Sequence, residues 1–162
     1  MNKPQQNLEQ IAALLREQTT LSLATIGEDG EPCVAPLFYM VDEELSLYWL
    51  SSQSSQHSRN LLRTPRAAAA VYGCATSWQE IRGVQMRGPV SKITEPKRRA
   101  VLIIAYCERF QLGSVFRLAI RRSTLFVLQP DYFRFIDNAR GFGSNVELAR
   151  PPQGWTLTRP AH

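Results

Sequence analysis

The stretch Ile81–Ile93, IRGVQMRGPVSKI, constrains the fold more than any other part of the chain. It is longer than the roughly five to six residues of an average strand. Val84, Met86 and Val90 alternate with Gln85 and Arg87, and glycines stand at 83 and 88. Alternation with a period of two marks a strand with one buried face. Glycine inside such a run marks a bulge or a close backbone approach, and either bends a sheet. The pattern predicts a long strand broken at its glycines, as in a small curved barrel.

The flanking sequence supplies partners. Thr20–Ile26 alternates and is rich in strand formers, and Gly27-Glu28-Asp29-Gly30 is a hairpin turn. A second strand is expected from about Glu31 to Val41, with Cys33, Ala35, Leu37, Tyr39 and Val41 on one face. Val34, Pro36, Phe38 and Met40 share the other, so both faces are apolar and the strand should be covered on both sides. Pro36 cannot donate a ladder hydrogen bond, which implies an edge or a break there. Leu45–Leu50, Arg66–Tyr72, Thr124–Leu128 and Tyr132–Asp137 complete the strands, the last two as a hairpin around Pro130-Asp131.

Helical spacing appears from Leu8 to about Gln18 with Asn7 as cap, and from about Ser55 to just before Pro65. It appears again from the cap Thr94 to about Phe110, and briefly within 112–121. Val101–Tyr106 is apolar around most of its circumference, which suits a core or a subunit contact. The tail after Gly141 should wrap the surface irregularly. The expected fold is mostly β: a single domain over 1–162 built on a six-stranded antiparallel barrel with flanking helices. The N-terminal helix covers 1–18 and the irregular tail 144–162.

A chain of 162 residues can bury one core, and 44% apolar with 20% charged residues is ordinary for a globular protein. A net charge of +5 suits an anionic ligand or nucleic acid. Lys97-Arg98-Arg99 and Arg121-Arg122 lack interleaved aromatics and any recognition motif, so no specific nucleic-acid partner is expected. Cys33, Cys74 and Cys107 show neither metal-ligand spacing nor a pairing pattern, which fits free thiols, a cytoplasmic location and no metal. The N-terminus lacks an apolar signal core and the apolar runs are too short to span a bilayer, so no membrane partner is expected.

Chemistry concentrates in Tyr48–Leu62, YWLSSQSSQHSRNLL. A strand ends there in a run of hydroxyls and amides and passes into a helix. Helix N-termini offer free N–H groups and a positive partial charge, hydroxyls add compact donors, and His57 adds one imidazole. The combination suits a phosphate. It equally suits a helix capped by Ser54 or Ser55 with no ligand. Trp49, Trp78 and Phe38 could cradle a planar cofactor or simply fill the core.

On these residues the chain resembles the FMN-binding split-barrel family that includes pyridoxamine 5′-phosphate oxidase. The resemblance runs from about Leu8 to Asn145. It is carried by Ser51, Ser55 and His57, then Asn60-Leu61 and Pro65-Arg66. Leu37-Phe38-Tyr39, Ile81–Gly88 and DNARGFG at Asp137–Gly143 are more similar to its YhbP-like branch. The resemblance implies FMN as cofactor and a homodimer with the site between subunits. It implies phosphate contacts from Ser51, Ser52, Ser55 and His57, with Gln85 and Arg87 reaching the same pocket. It also implies ring contacts from the backbone of Pro36, Leu37 and Phe38, whereas no catalytic residue is implied.

Three departures argue against oxidation of pyridoxamine phosphate itself. His57 stands where the family has a phosphate-binding lysine, Gly83 where it has a glutamine, and VAPLFYM lacks the family's arginines. The expected function is a flavin-dependent oxidoreductase on another small molecule. The alternative is a flavin- or haem-binding carrier or sensor without turnover.

Overall fold

A computed structural model describes residues 3–151 and 154–159, with the side chains of Arg117 and Arg159 left aside. Four helices and ten strands follow in order. They are α1 Lys3–Glu17, β1 Thr20–Ile26, β2 Pro32–Phe38, β3 Met40–Val41, β4 Leu47–Ser52, α2 Gln56–Arg63 and β5 Arg66–Tyr72. Then come β6 Arg82–Lys92, α3 Pro96–Arg109, α4 Arg117–Arg122, β7 Ser123–Leu128, β8 Tyr132–Asp137, β9 Asn145–Ala149 and β10 Thr156–Arg159.

The strands form one curled antiparallel sheet, ordered β10-β9-β8-β6-β5-β1-β2, with β7, β4 and β3 branching from β6. This is the expected mostly-β split barrel with flanking helices. The described residues hold ten strands where a six-stranded barrel was expected: to the seven strand segments read from the sequence, β3 is added as a short separate strand and the tail adds β9 and β10.

β6 organises the sheet. It runs unbroken, so its glycines do not interrupt it as the sequence suggested. Residues Arg82–Arg87 pair with β8, and Val90–Lys92 pair with β7. Gly88 is where the partner changes. A Cβ there would lie 2.1 Å from the Gln129 carbonyl oxygen, a distance no side chain tolerates. The 129–131 connection is laid across β6, with the Gln129 N–H donating to Pro89 O and the Asp131 N–H to Arg87 O, both at 3.0 Å. β7 and β8 therefore do not form the hairpin that Pro130-Asp131 implied; each pairs with β6 instead.

Strand alternation fixes two faces. The inner face carries Val84, Met86, Phe133, Phe135, Leu21 and Leu23, all buried. Trp49 stacks on Phe126 at 5.6 Å and is wholly buried, so it belongs to the core and not to a cofactor cradle. α1 closes the inner side through Ile11, Leu14 and Leu15.

Several local expectations are corrected. Asn7 is not a cap: α1 begins at Lys3, with Pro4 in the first turn where its missing N–H costs nothing, and the Asn7 amide donates to Lys3 O. α3 is capped by Glu95, not Thr94; its carboxylate accepts from the Lys97 and Arg98 N–H groups, where a negative charge suits the helix dipole. The second strand breaks at Tyr39, whose N–H turns to Thr19 O and whose hydroxyl donates to Leu15 O at 2.7 Å. β2 is open on one side, leaving Val34 67% and Phe38 51% exposed. In α3 only Tyr106 is buried, while Val101 and Ile104 are exposed. The tail is not irregular: β9 buries Val146 and Leu148, and Trp155 lies 4.8 Å from Phe133. Cys33, Cys74 and Cys107 are free thiols, and no helix of the described residues is long and apolar enough to cross a membrane.

Candidate functional site

β4 delivers Ser51 and Ser52 to the start of α2, and Ser55 caps that helix by accepting from the Ser58 N–H. The cap reading of the loop is thus met, and the cap also belongs to a larger cluster. His57 Nε2 lies 2.6 Å from Ser51 Oγ and 3.0 Å from Ser55 Oγ. One ring nitrogen therefore serves two hydroxyls, one of them on a buried residue. Ser52 and Ser54 share a hydroxyl–hydroxyl bond of 2.8 Å on the exposed side. The Arg59 guanidinium donates to Ser54 O and ties the loop back to the helix.

The scaffold under this cluster is buried and polar, and the sequence did not announce it. Ser58 is fully buried and lies 2.8 Å from Ser55 Oγ. The Asn60 amide donates to the buried Thr25 hydroxyl of β1 at 3.0 Å, fixing the helix to the sheet. Gln56 reaches Cys33 Sγ of β2 at 3.2 Å. Thr25 precedes Asn60 by 35 residues and Cys33 precedes Gln56 by 23, so only the folded sheet shows the connection.

Burial lowers the His57 pKa below its ordinary 6.5. The imidazole is therefore neutral near pH 7, and no carboxylate hydrogen-bonds it among the described residues. An arriving phosphate would raise that pKa and gain a charged donor. The donor set of Ser51, Ser52, Ser55, His57 and the first-turn N–H groups fits a phosphate, while its hydroxyls and neutral imidazole form no metal-ligand cluster among the described residues.

Of the other expected residues, Pro36, Phe38, Gln85 and Arg87 lie on the outer sheet face. Pro36, Ser22, Ala70 and Gln85 stand in one row across β2, β1, β5 and β6. Val34, Ala24, Ala68 and Arg87 form the neighbouring row. Gln85 and Arg87 are exposed, and no hydrogen bond joins them to the Ser/His cluster whose pocket they were expected to reach. The Arg87 guanidinium instead lies 4.4 Å over the Tyr132 ring. Pro36 and Phe38 face outward, whereas Leu37 turns inward against the core. β2 pairs only with β1, so its far backbone edge is free of strand partners among the described residues.

Fold and site together define a split barrel with a hydroxyl-rich, phosphate-suited helix N-terminus next to the edge strand β2. The family model described as "Pyridoxamine 5'-phosphate oxidase" matches residues 8–137, and the chain belongs to that family. A UPF0306 protein from Yersinia pseudotuberculosis serotype O:3 (strain YPIII) is 28% identical over 93% of this chain and 97% of its own length. Two solved structures share the fold. A pyridoxamine 5′-phosphate oxidase-related, FMN-binding protein from Nostoc punctiforme has a TM-score of 0.68 at 16% identity, covering 98% of this chain and 97% of that one. The haem storage protein HutZ from Vibrio cholerae has a TM-score of 0.64 at 23% identity, covering 75% of this chain and 88% of that one.

Proposed function

We propose that this chain is an FMN-binding oxidoreductase, acting as a homodimer on a small molecule other than pyridoxamine phosphate. The observation that carries the reading is the hydrogen-bonded Ser51–His57–Ser55 cluster at the start of α2, inside the matched family region. Ser51, Ser52, Ser55 and His57 would hold the phosphate. Gln85 and Arg87 would border the site from across the outer face, and the backbone of Pro36, Leu37 and Phe38 would meet the ring along the β2 edge. FMN supplies the electron transfer when bound, and the protein orients it and limits water. His57 takes up a proton when the anion arrives, replacing the fixed charge of a lysine. The absence of that fixed charge and of arginines on β2 speaks against the oxidase's own substrate.

Dimerisation is supported by exposed apolar residues on two elements that touch, β2 and α3. The Tyr106 hydroxyl of α3 donates to Phe38 O at 3.1 Å, and Phe110 lies 4.8 Å from the Phe38 ring. Val34 and Phe38 are exposed on β2, and Val101 and Ile104 on α3. Grouped exposed apolar residues of this kind suit an interface.

The visible absorption spectrum of freshly purified protein, with mass spectrometry of anything released on denaturation, tests the reading. A flavin spectrum with FMN released is expected, and His57→Ala should release FMN more readily. Colourless protein that also refuses added FMN overturns it. A haem spectrum would replace it with the carrier reading, which the likeness to HutZ favours. Light scattering should give twice the chain mass; a stable monomer at micromolar concentration would remove the shared site.

A further inference from the structure

The short helix α2 buries the wrong residues for stability alone. It hides Ser58, Asn60 and Leu61 and leaves Leu62 58% exposed. Hiding a polar side chain costs free energy unless it finds a partner. Both buried polar groups have one. The Ser58 hydroxyl accepts from Ser55 Oγ at 2.8 Å, and the Asn60 amide donates to Thr25 Oγ1 at 3.0 Å. Thr25 is itself buried, on the side of β1 that carries Leu21 and Leu23. A buried amide–hydroxyl bond adds modest net stability, and its larger effect is to specify one arrangement.

That arrangement is a two-point attachment. In its first turn α2 meets β4 through His57 Nε2 and Ser51 Oγ, 2.6 Å apart. About a turn later it meets β1 through Asn60 and Thr25. Two further ties, Gln56 to Cys33 Sγ at 3.2 Å and Arg63 to Ile26 O at 3.3 Å, are exposed. Side-chain atoms lie about 5 Å from a helix axis, so a roll of about 10° carries an imidazole about 0.9 Å, beyond the roughly 0.5 Å within which a binding constellation must hold. Ser51 alone is a pivot for such a roll. The second, buried point on β1 prevents it.

We propose that Asn60 and Thr25 are positioning residues, whose buried bond fixes α2 against the sheet and so gives the Ser51–Ser55–His57 site its preference for a phosphate-bearing ligand over the same ligand without phosphate. The assignment rests on the reading of that cluster as a phosphate site. Neither residue touches the ligand; both act through His57 and the first turn of α2.

Fluorescence titration with FMN and with riboflavin, which differ only in the phosphate, tests the proposal. Wild type should prefer FMN at least tenfold. Thr25→Val keeps the shape and removes the hydroxyl; it should cut that preference at least fivefold while riboflavin affinity stays within twofold. Thr25→Ser keeps the hydroxyl and should keep the preference within twofold. Thr25→Val combined with Asn60→Leu removes both polar partners, so it should recover stability in urea without recovering the preference. An unaltered preference in Thr25→Val or in the double variant overturns the proposal, as does its loss in Thr25→Ser. Failure of both valine variants to fold by circular dichroism would make the pair purely structural and overturns it as well.

A second readout separates this proposal from the flavin reading. Inorganic phosphate should shift the His57 ring-proton signals in NMR spectra of wild type, with His162 as internal reference, and should do so at least fivefold more weakly in Thr25→Val. A phosphate response that depends on Thr25 in protein that never takes FMN defeats the flavin reading alone. FMN binding that ignores Thr25 defeats the positioning role alone. Wild-type protein that responds to neither ligand overturns both.

Discussion

The two faces of the sheet come from the same strands and serve opposite ends. On β5, Ala67, Ala69 and Val71 are buried, while Ala68 and Tyr72 are exposed and Ala70 is half-buried. On β6, Val84 and Met86 point inward, while Gln85 and Arg87 point out. The inner face is filled by large side chains from both halves of the chain. The outer face is kept flat by alanine, serine and glycine in the middle rows, with polar and aromatic side chains at the margins. Small residues on an outer face contribute little burial energy. Their value lies in the room they leave, so the outer face is where ligands and partners find space.

The comparison is broken most severely at the inner face. Phe133 is fully buried and contacts Trp155, which ties the tail to the core. Phe133→Ala should cost about 3–5 kcal/mol, because lost transfer energy and the residual cavity add. Urea unfolding would measure it, and a loss below about 1 kcal/mol would mean that the tail repacks. Next is Gly88, where the limit is backbone contact. Gly88→Ala places a methyl against the Gln129 carbonyl and should cost about 1–3 kcal/mol through forced displacement. Gly113→Ala is the matched control, since a Cβ there meets nothing within 4 Å. Equal effects at the two glycines would show that the β6 crossing is not tight.

These positions also show what was legible in the sequence. Alternation identified β1 and β6, and the proline rule offered an edge at Pro36, because those signals are local. The Ser51–His57 cluster was legible for the same reason: all its members fall within one turn of chain. The pairing of β7 and β8 was misread because Pro130-Asp131 has the local signature of a hairpin turn. The deciding fact, the gap beside Gly88, lies some forty residues away. Val146 and Leu148 passed for tail because proline and glycine follow close behind.

At the outer face the expected effect moves from stability to assembly. Val34 is 67% exposed on the open side of β2. Val34→Asp should change the stability of the chain by no more than about 0.5 kcal/mol, as for surface positions generally. It should nevertheless convert the dimer to monomer in light scattering, because an unpaired carboxylate would be buried between subunits. A dimer that survives would move the interface away from Val34, towards the exposed Val101 and Ile104 of α3.

The smallest effect is a slope, and it belongs to His57. Burial holds its folded pKa below the 6.5 of an unfolded chain. Above pH 6.5 both states are neutral there and the residue adds no pH dependence. As pH falls below 6.5, the unfolded chain takes up the proton first, so stability declines until the folded state protonates as well. The other histidine, His162, lies outside the described residues, so the comparison must isolate position 57. Urea midpoints at pH 7.5 and 5.5 should separate more for wild type than for His57→Gln. A phosphate-bearing ligand should shrink the wild-type separation, because it stabilises the imidazolium that burial disfavours. Identical separations in the two proteins would mean that the imidazole is already solvated in the folded chain. The same ring would then be free to protonate without a ligand, and Ser51 and Ser55 alone would be left to hold an anion.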